Sequence, residues 1–307
     1  MNHFKHLFGP VPSRRMGLSL GISPIPEGYC NYSCIYCQLG RTDHMSNTRQ
    51  NFFEVSEIIN EFKEWLKTKK EVDVITIVSE GEPTLYKNLG QLLKELKSLT
   101  NIPIAVITNG ALLSEKEVRE DLKYADIVLP SFDASNNEDF TRINRAYGKM
   151  DFYKVFNGLK LFSKEFKGQL WIEIMLVKGY NDSEEKLIAL KELLDQVEYD
   201  RIFINTPVRP PAESYAHEPS DQTIEMAVEI LGGVAINHLI SNGFSSDIKD
   251  DYEAIVSIIK RHPMNQFEIK SFLEIRLCDN TDEIFNRLSQ DDKIEIVEYK
   301  GYKTYRG

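Results

Sequence analysis

The chain has 307 residues, 42% hydrophobic and 27% charged, enough for one large core or for a large and a small domain. Its 37 basic and 47 acidic side chains give a net charge of −10, which disfavours broad attraction to nucleic-acid backbones and leaves room only for a local basic site. No apolar run reaches the roughly 18–20 residues of a membrane helix, and residues 1–12 lack the apolar stretch of a signal peptide, so a cytoplasmic protein with no membrane contact is expected.

In chain order, Gly9-Pro-Val-Pro-Ser-Arg-Arg15 is stiffened by its two prolines. Arg14 and Arg15 read either as solvated surface charges or as a guanidinium pair facing an anionic substrate or metal cluster. Residues 16–22 form a short strand, in which Gly17 and Gly21 permit close backbone approach. Pro24 and Pro26 end it and lead into Cys30-Asn-Tyr-Ser-Cys34-Ile-Tyr-Cys37, a C-x3-C-x2-C spacing that holds three of the four cysteines. A disulfide would leave one thiol over. Zinc needs four ligands, and His44 could supply the fourth. An iron–sulfur cluster held by three thiolates would keep one iron open for an added ligand.

Beyond this loop, helical spacing alternates with extended runs. Helices are expected over 56–69, 86–99, 114–123, 152–166 and 183–197, with Ser114 capping the third and Glu117 completing a capping box. Strands are expected over 73–78, 102–107, 127–129, 170–177 and 201–205. Repeated βα units of this length indicate a parallel sheet. With the strand before the cysteines they number about six, too few for a closed eight-stranded barrel, and they fit an α/β fold with a partial parallel (βα)6 barrel. Ligands then sit at the C-terminal strand ends. Polar turns stand there: Glu80-Gly81-Glu82-Pro83, Thr108-Asn109-Gly110 and Ser131-Phe132-Asp133. Glu173 shares one face of its strand with Trp171 and Met175, and inside a barrel it would need a partner.

The cysteine spacing with Tyr36 between the last two thiols resembles the cluster motif of the radical SAM superfamily, and Gly81-Glu82-Pro83 resembles that family's Gly-Gly-Glu-Pro-like motif. Glu80 departs from the glycine often found there. The run from Gly9 through the cysteines to Thr42 also resembles a subgroup grouped loosely with the tRNA wyosine-base synthases. The resemblance covers about residues 9–210. It implies a [4Fe–4S] cluster on Cys30, Cys34 and Cys37. It implies S-adenosylmethionine (SAM) held by Tyr36, Gly81, Glu82, Pro83, Asn109, Ser131, Asp133 and Glu173, with Glu82 on the ammonium. It further implies one-electron cleavage of SAM to a 5′-deoxyadenosyl radical and an electron donor such as flavodoxin or ferredoxin. The alternatives are a tRNA-base-modifying enzyme, which the acidic charge disfavours, and a metal-cluster-dependent regulator.

Pro207 to Pro219 reads as a rigid exit and linker, with Arg209 facing either substrate or the next domain. A long helix over 223–240 should stop at Asn242-Gly243. Helices over 252–261, 266–276 and 281–288 and a hairpin over 293–306 then read as a small winged-helix-like α+β domain. The boundary is placed between 1–245 and 246–307. From Asp250 onward twelve acidic side chains face nine basic ones, so DNA binding is disfavoured, and a protein or peptide contact or dimerisation is the expected role. As a separate unit, this domain is expected to be dispensable for cleaving SAM but needed for acting on the true substrate or partner.

Overall fold

The computed structural model describes residues 4–78, 80–236, 244, 246, 248–299 and 301–307. The first strand, β1 (Leu7–Ser13), was not foreseen: the two-proline lead-in pairs antiparallel with β2 (Gly17–Ile22). Pro10 and Pro12 are tolerated because β1 is the edge of the sheet, where missing N–H donors cost little. The two-residue strands β3 (Tyr29–Cys30) and β4 (His44–Met45) pair in parallel and bracket the cysteine loop.

The βα units follow, with ends within a few residues of expectation. They are α1 (Val55–Leu66), β5 (Val74–Ile77), a 3-10 turn at Pro83–Leu85, α2 (Leu89–Leu99), β6 (Ile104–Thr108), α3 (Lys116–Leu122) and β7 (Ile127–Pro130). Next come α4 (Asn137–Ile143), α5 (Phe152–Glu165), β8 (Gln169–Met175), α6 (Glu184–Leu194), β9 (Arg201–Asn205), α7 (Asp221–Leu231) and β10 (Val234–Ala235). The sheet runs β1-β2-β5-β6-β7-β8-β9-β10, and every pairing after β1–β2 is parallel.

Two expected helix ends are corrected. α3 begins at Lys116 with Glu115 at its N-cap and no side-chain cap bond, so Ser114 and Glu117 form no capping box. The Ser114 carbonyl instead accepts from Arg119 Nη1 at 3.0 Å. α7 stops at Leu231 because Gly232 takes the left-handed conformation (φ 70°) that ends a helix, and β10 follows. The Asn242-Gly243 stop and the remainder of that expected helix from residue 237 lie outside the described residues, as do Ser245 and Lys300.

Alternation along the strands divides the barrel. Ile75, Ile77, Ile172, Ile174 and their neighbours point outward under the helices and build the main core. The inward residues form two layers. Val74, Ala105, Leu129, Trp171 and Phe203 make an apolar plug. Two positions further along each strand stand Thr76, Ile107, Ser131, Glu173 and Asn205, which line a cavity. The plug closes one end and the polar layer opens toward the C-terminal strand ends.

The last segment comprises α8 (Asp251–Ile259), β11 (Met264–Asn265), α9 (Gln266–Ile275), α10 (Thr281–Gln290), β12 (Glu295–Tyr299) and β13 (Tyr302–Arg306). Its sheet runs β11-β13-β12. It has a core of its own around Ile255, Ile269, Phe272 and Leu288, and Val11 of β1 belongs to that core. Tyr299 donates to the Pro207 carbonyl at 2.6 Å, and Arg209 grips Glu268 through both terminal nitrogens at 3.1 Å. The segment therefore reaches from edge strand β1 to the loop leaving β9. Among the described residues no helix is long and apolar enough to cross a membrane.

Candidate active site

The cysteine loop has little regular structure and is held from outside. Ser33 and Ile35 donate backbone N–H groups to the carbonyls of Asn144 and Ile143, at the C-terminal end of α4, at 3.0 and 2.9 Å. Glu213 donates its N–H to the Ile35 carbonyl at 3.0 Å, and its carboxylate takes Arg41 at 2.8 and 3.0 Å together with Arg145. These arginines hold the Glu213 carboxyl down to about 2. Cys30, Cys34 and Cys37 all line one cavity of about 370 Å³.

Donors approach two of the sulfurs. Asn109 Nδ2 lies 3.7 Å and the Tyr32 N–H 3.4 Å from Cys30 Sγ, and Asn144 Nδ2 lies 3.6 Å from Cys34 Sγ. Burial pushes the Cys30 thiol up to about 12, Cys34 well above its ordinary value, and Cys37 up. As free thiols they keep their protons, so loading metal must expel them. Three thiols on one wall with amide donors at sulfur fit an iron–sulfur cluster. The zinc alternative loses its fourth ligand: His44 is exposed and stacks on Tyr29 at 4.6 Å. Among the described residues no three His, Cys, Asp or Glu side chains are placed to grip one ion.

The Gly81–Glu82 loop is stitched to the cysteine loop. Glu82 N–H donates to the Tyr29 carbonyl at 3.0 Å, and Gly28 N–H to the Glu80 carbonyl at 2.8 Å. A Cβ on Gly81 would stand 1.7 Å from the Tyr29 oxygen, so only glycine fits. Glu82 is 2% exposed, and burial pushes its carboxyl up against the hydrogen bonds that favour the charge. Oε1 accepts from Thr84 N at 2.9 Å, Thr84 Oγ1 at 2.6 Å and Thr108 Oγ1 at 2.6 Å, and Oε2 accepts from Asn109 N at 2.7 Å.

Of the other expected SAM residues, Tyr36, Asn109, Ser131 and Glu173 line the cavity, whereas Pro83 and Asp133 do not. Pro83 starts the buried turn behind Glu82. Asp133 sits behind the wall, where its carboxylate takes the Tyr36 hydroxyl, Asn144 Nδ2 at 2.8 Å and Met175 N at 2.8 Å. Glu173 has the partner that its burial demands: Arg15 pairs with it, and Asn205 Nδ2 donates at 3.3 Å. Burial, aided by Arg14, brings the Arg15 guanidinium down to about 10.

Sequence reasoning placed Thr108 at a strand end without a role, and it missed Asn144, whose amide approaches Cys34, and, from the last segment, Arg261 and His262 on the cavity wall. A threonine or an amide at a loop carries no motif. Arg261 and His262 are more than two hundred positions from the cysteines, so no local spacing could link them. Arg261 lies 3.4 Å from Glu80. The departure from the family's glycine is therefore a contact between the SAM-motif loop and the last segment.

A cysteine triplet, a glycine-glutamate loop and an inward polar layer at the strand ends of an open βα barrel define a class of enzyme. Residues 25–190, more than half of the chain, match the Radical SAM superfamily, and the chain belongs to it: an enzyme whose cofactors are a [4Fe–4S] cluster and SAM. UPF0026 protein MJ1312 of Methanocaldococcus jannaschii is 33% identical over 97% of this chain and 94% of that protein. A Brachyspira hyodysenteriae protein named GTPase Obg is 44% identical over 73% of this chain, which spans only 33% of that longer protein. In fold, the chain is similar to Streptococcus suis SuiB crystallised with its precursor peptide SuiA, with a TM-score of 0.56 at 18% identity over 72% of this chain and 50% of that one.

Proposed function

We propose that this enzyme cleaves SAM reductively and directs the resulting 5′-deoxyadenosyl radical at a substrate held in the same cavity. One observation carries the reading: the three cysteines, Gly81, Glu82, Asn109 and Ser131 open on a single space at the strand ends. Cys30, Cys34 and Cys37 would hold the cluster, which when bound would supply the electron for reductive cleavage of the SAM sulfonium. The chain's own residues bind and orient. Glu82, fixed by four donors, receives the ammonium of SAM. Asn109 and Ser131 contact the nucleoside or methionine part, with Glu173 beside them on the inward layer. Tyr36 is held in place by Asp133. The apolar plug keeps water from entering behind the radical.

A flavodoxin or ferredoxin is the proposed electron donor, and the reducing cytoplasm suits a site built on free thiols. The order helix, strand, helix, helix, hairpin supports a winged-helix-like reading of residues 246–307. Its acidic excess and its place on the cavity wall favour service to the substrate over reading of DNA. Anaerobic protein given dithionite and SAM should release 5′-deoxyadenosine, and Cys34→Ala should release none. Undiminished release from Cys34→Ala would sink the reading.

A further inference from the structure

Four arginines line the cavity, and three of them are neutralised. Arg15 pairs with Glu173, Arg209 with Glu268 and Arg261 with Glu80. Arg14 is half-buried on the same wall and has neither a carboxylate partner nor a hydrogen bond among the described contacts. Burial and the neighbouring Arg209 push its guanidinium below the ordinary value, with Glu268 opposing. Glu268 cannot serve Arg14 fully, because it already takes both terminal nitrogens of Arg209 and the Asn265 N–H at 2.8 Å. Near the same arginines stands His262, from the turn after α8. Its Nδ1 is buried with no partner outside its own backbone, and its ring meets Phe244 edge-on at 5.1 Å. Burial, then Arg209, Arg14 and Arg15, hold this imidazole neutral. A charged guanidinium without a counter-ion and an orphaned ring nitrogen thus share one end of one cavity. A single anion would satisfy both.

We propose that Arg14 and His262 bind an anionic group, a carboxylate or a phosphate, on the substrate of this enzyme. Through His262 the last segment then contributes to substrate recognition. SAM's own carboxylate is the competing occupant of the same cavity, and the SAM affinity of Arg14→Gln separates the two.

The inference deepens the proposed function and rests on it, so its test does not depend on SAM cleavage. The reconstituted holoenzyme is titrated calorimetrically with inorganic phosphate and, separately, with malonate, at constant ionic strength and with chloride as control. One of the two should bind, and which one separates a phosphorylated substrate from a carboxylic acid. Arg14→Gln should weaken that probe about ten- to a hundredfold, the loss of one charge-assisted bond. His262→Gln, changed on a different element, should weaken it in the same direction and keeps the test decisive if Arg14→Gln fails to fold. Equal probe affinity in wild type and the folded variants overturns the proposal. An equal loss of SAM affinity in Arg14→Gln also overturns it, because that result assigns Arg14 to SAM. Release of 5′-deoxyadenosine is followed in parallel: if it fails while probe binding behaves as expected, the SAM reading fails and the anion site stands.

Discussion

At Glu82 four hydrogen bonds converge on one buried carboxylate, so the residue proposed to hold the SAM ammonium is also a structural knot. Glu82→Ala should lower SAM affinity about ten- to a hundredfold, through loss of one charge-assisted bond. It should also strand the Asn109 and Thr84 donors and cost about 1–3 kcal/mol of stability. Equilibrium dialysis and urea unfolding read the two effects separately, and unchanged SAM affinity in a folded variant would take Glu82 out of the site. Glu213 gives a pH dependence. Its folded value, about 2, lies below the ordinary 4.5, so its stabilisation is present above about pH 4.5 and is lost as pH falls toward 2. Arg41 is largely exposed, and solvent screening reduces the effect below what the shift alone implies. The urea midpoint of metal-free protein should fall across that window, and Glu213→Gln should flatten this part of the profile; an unaltered profile would show that the ion pairs contribute nothing. The cysteines were legible because covalent spacing alone brings them together. Asp133 was legible as a strand-end residue but not as a support, since which way its carboxylate turns depends on Tyr36 and Asn144, far apart in sequence.

Among elements, those with a long apolar period were readable. α1, α2 and α5 each bury a stripe of large side chains, and the pattern fixes them without help from the rest of the chain. β1 was not readable, because proline discourages a strand except at an edge, and an edge is a property of the whole sheet. α4 has seven residues and only Phe140 and Ile143 to mark it, too few for a period, yet it carries the carbonyls that dock the cysteine loop. The Glu80 loop shows an element conditioned by another. Glu80 is 9% exposed; burial pushes its carboxyl up, and Arg261 opposes this most. Arg261→Ala should leave that carboxylate uncompensated, costing about 1–3 kcal/mol. Glu80→Gly combined with Arg261→Ala should cost less than the sum of the two single changes, by about 0.5–3 kcal/mol in urea unfolding. Strict additivity would show that the two residues do not act as a pair.

For the molecule as a whole, the change of pattern near residue 246 motivates a boundary there, but the expectation that the last segment works apart from SAM chemistry is not what its placement favours. The segment shares a core with Val11, anchors Arg209 and walls the cavity through Arg261 and His262. A chain ending at residue 245 should therefore bind and cleave SAM less well than the full chain. Full-rate 5′-deoxyadenosine release from a folded truncation would restore the sequence-based expectation. Sequence periodicity cannot report such a contact, because it reads each segment against itself.

Arg261 also donates to the carbonyl of Lys5 at 3.1 Å, across nearly the whole chain. This contact has a consequence during synthesis. The cysteine loop leaves the ribosome long before the helix that carries its wall, roughly 10–45 s earlier at about 5–20 residues per second. Through that interval the thiols face solvent with one side of their chamber unbuilt, open to iron delivery and equally to oxidants. Pulse alkylation of stalled nascent chains should find Cys30, Cys34 and Cys37 reactive until residue 261 has emerged and protected afterwards. Protection in chains stalled well before that point would show that the barrel shelters its metal site unaided.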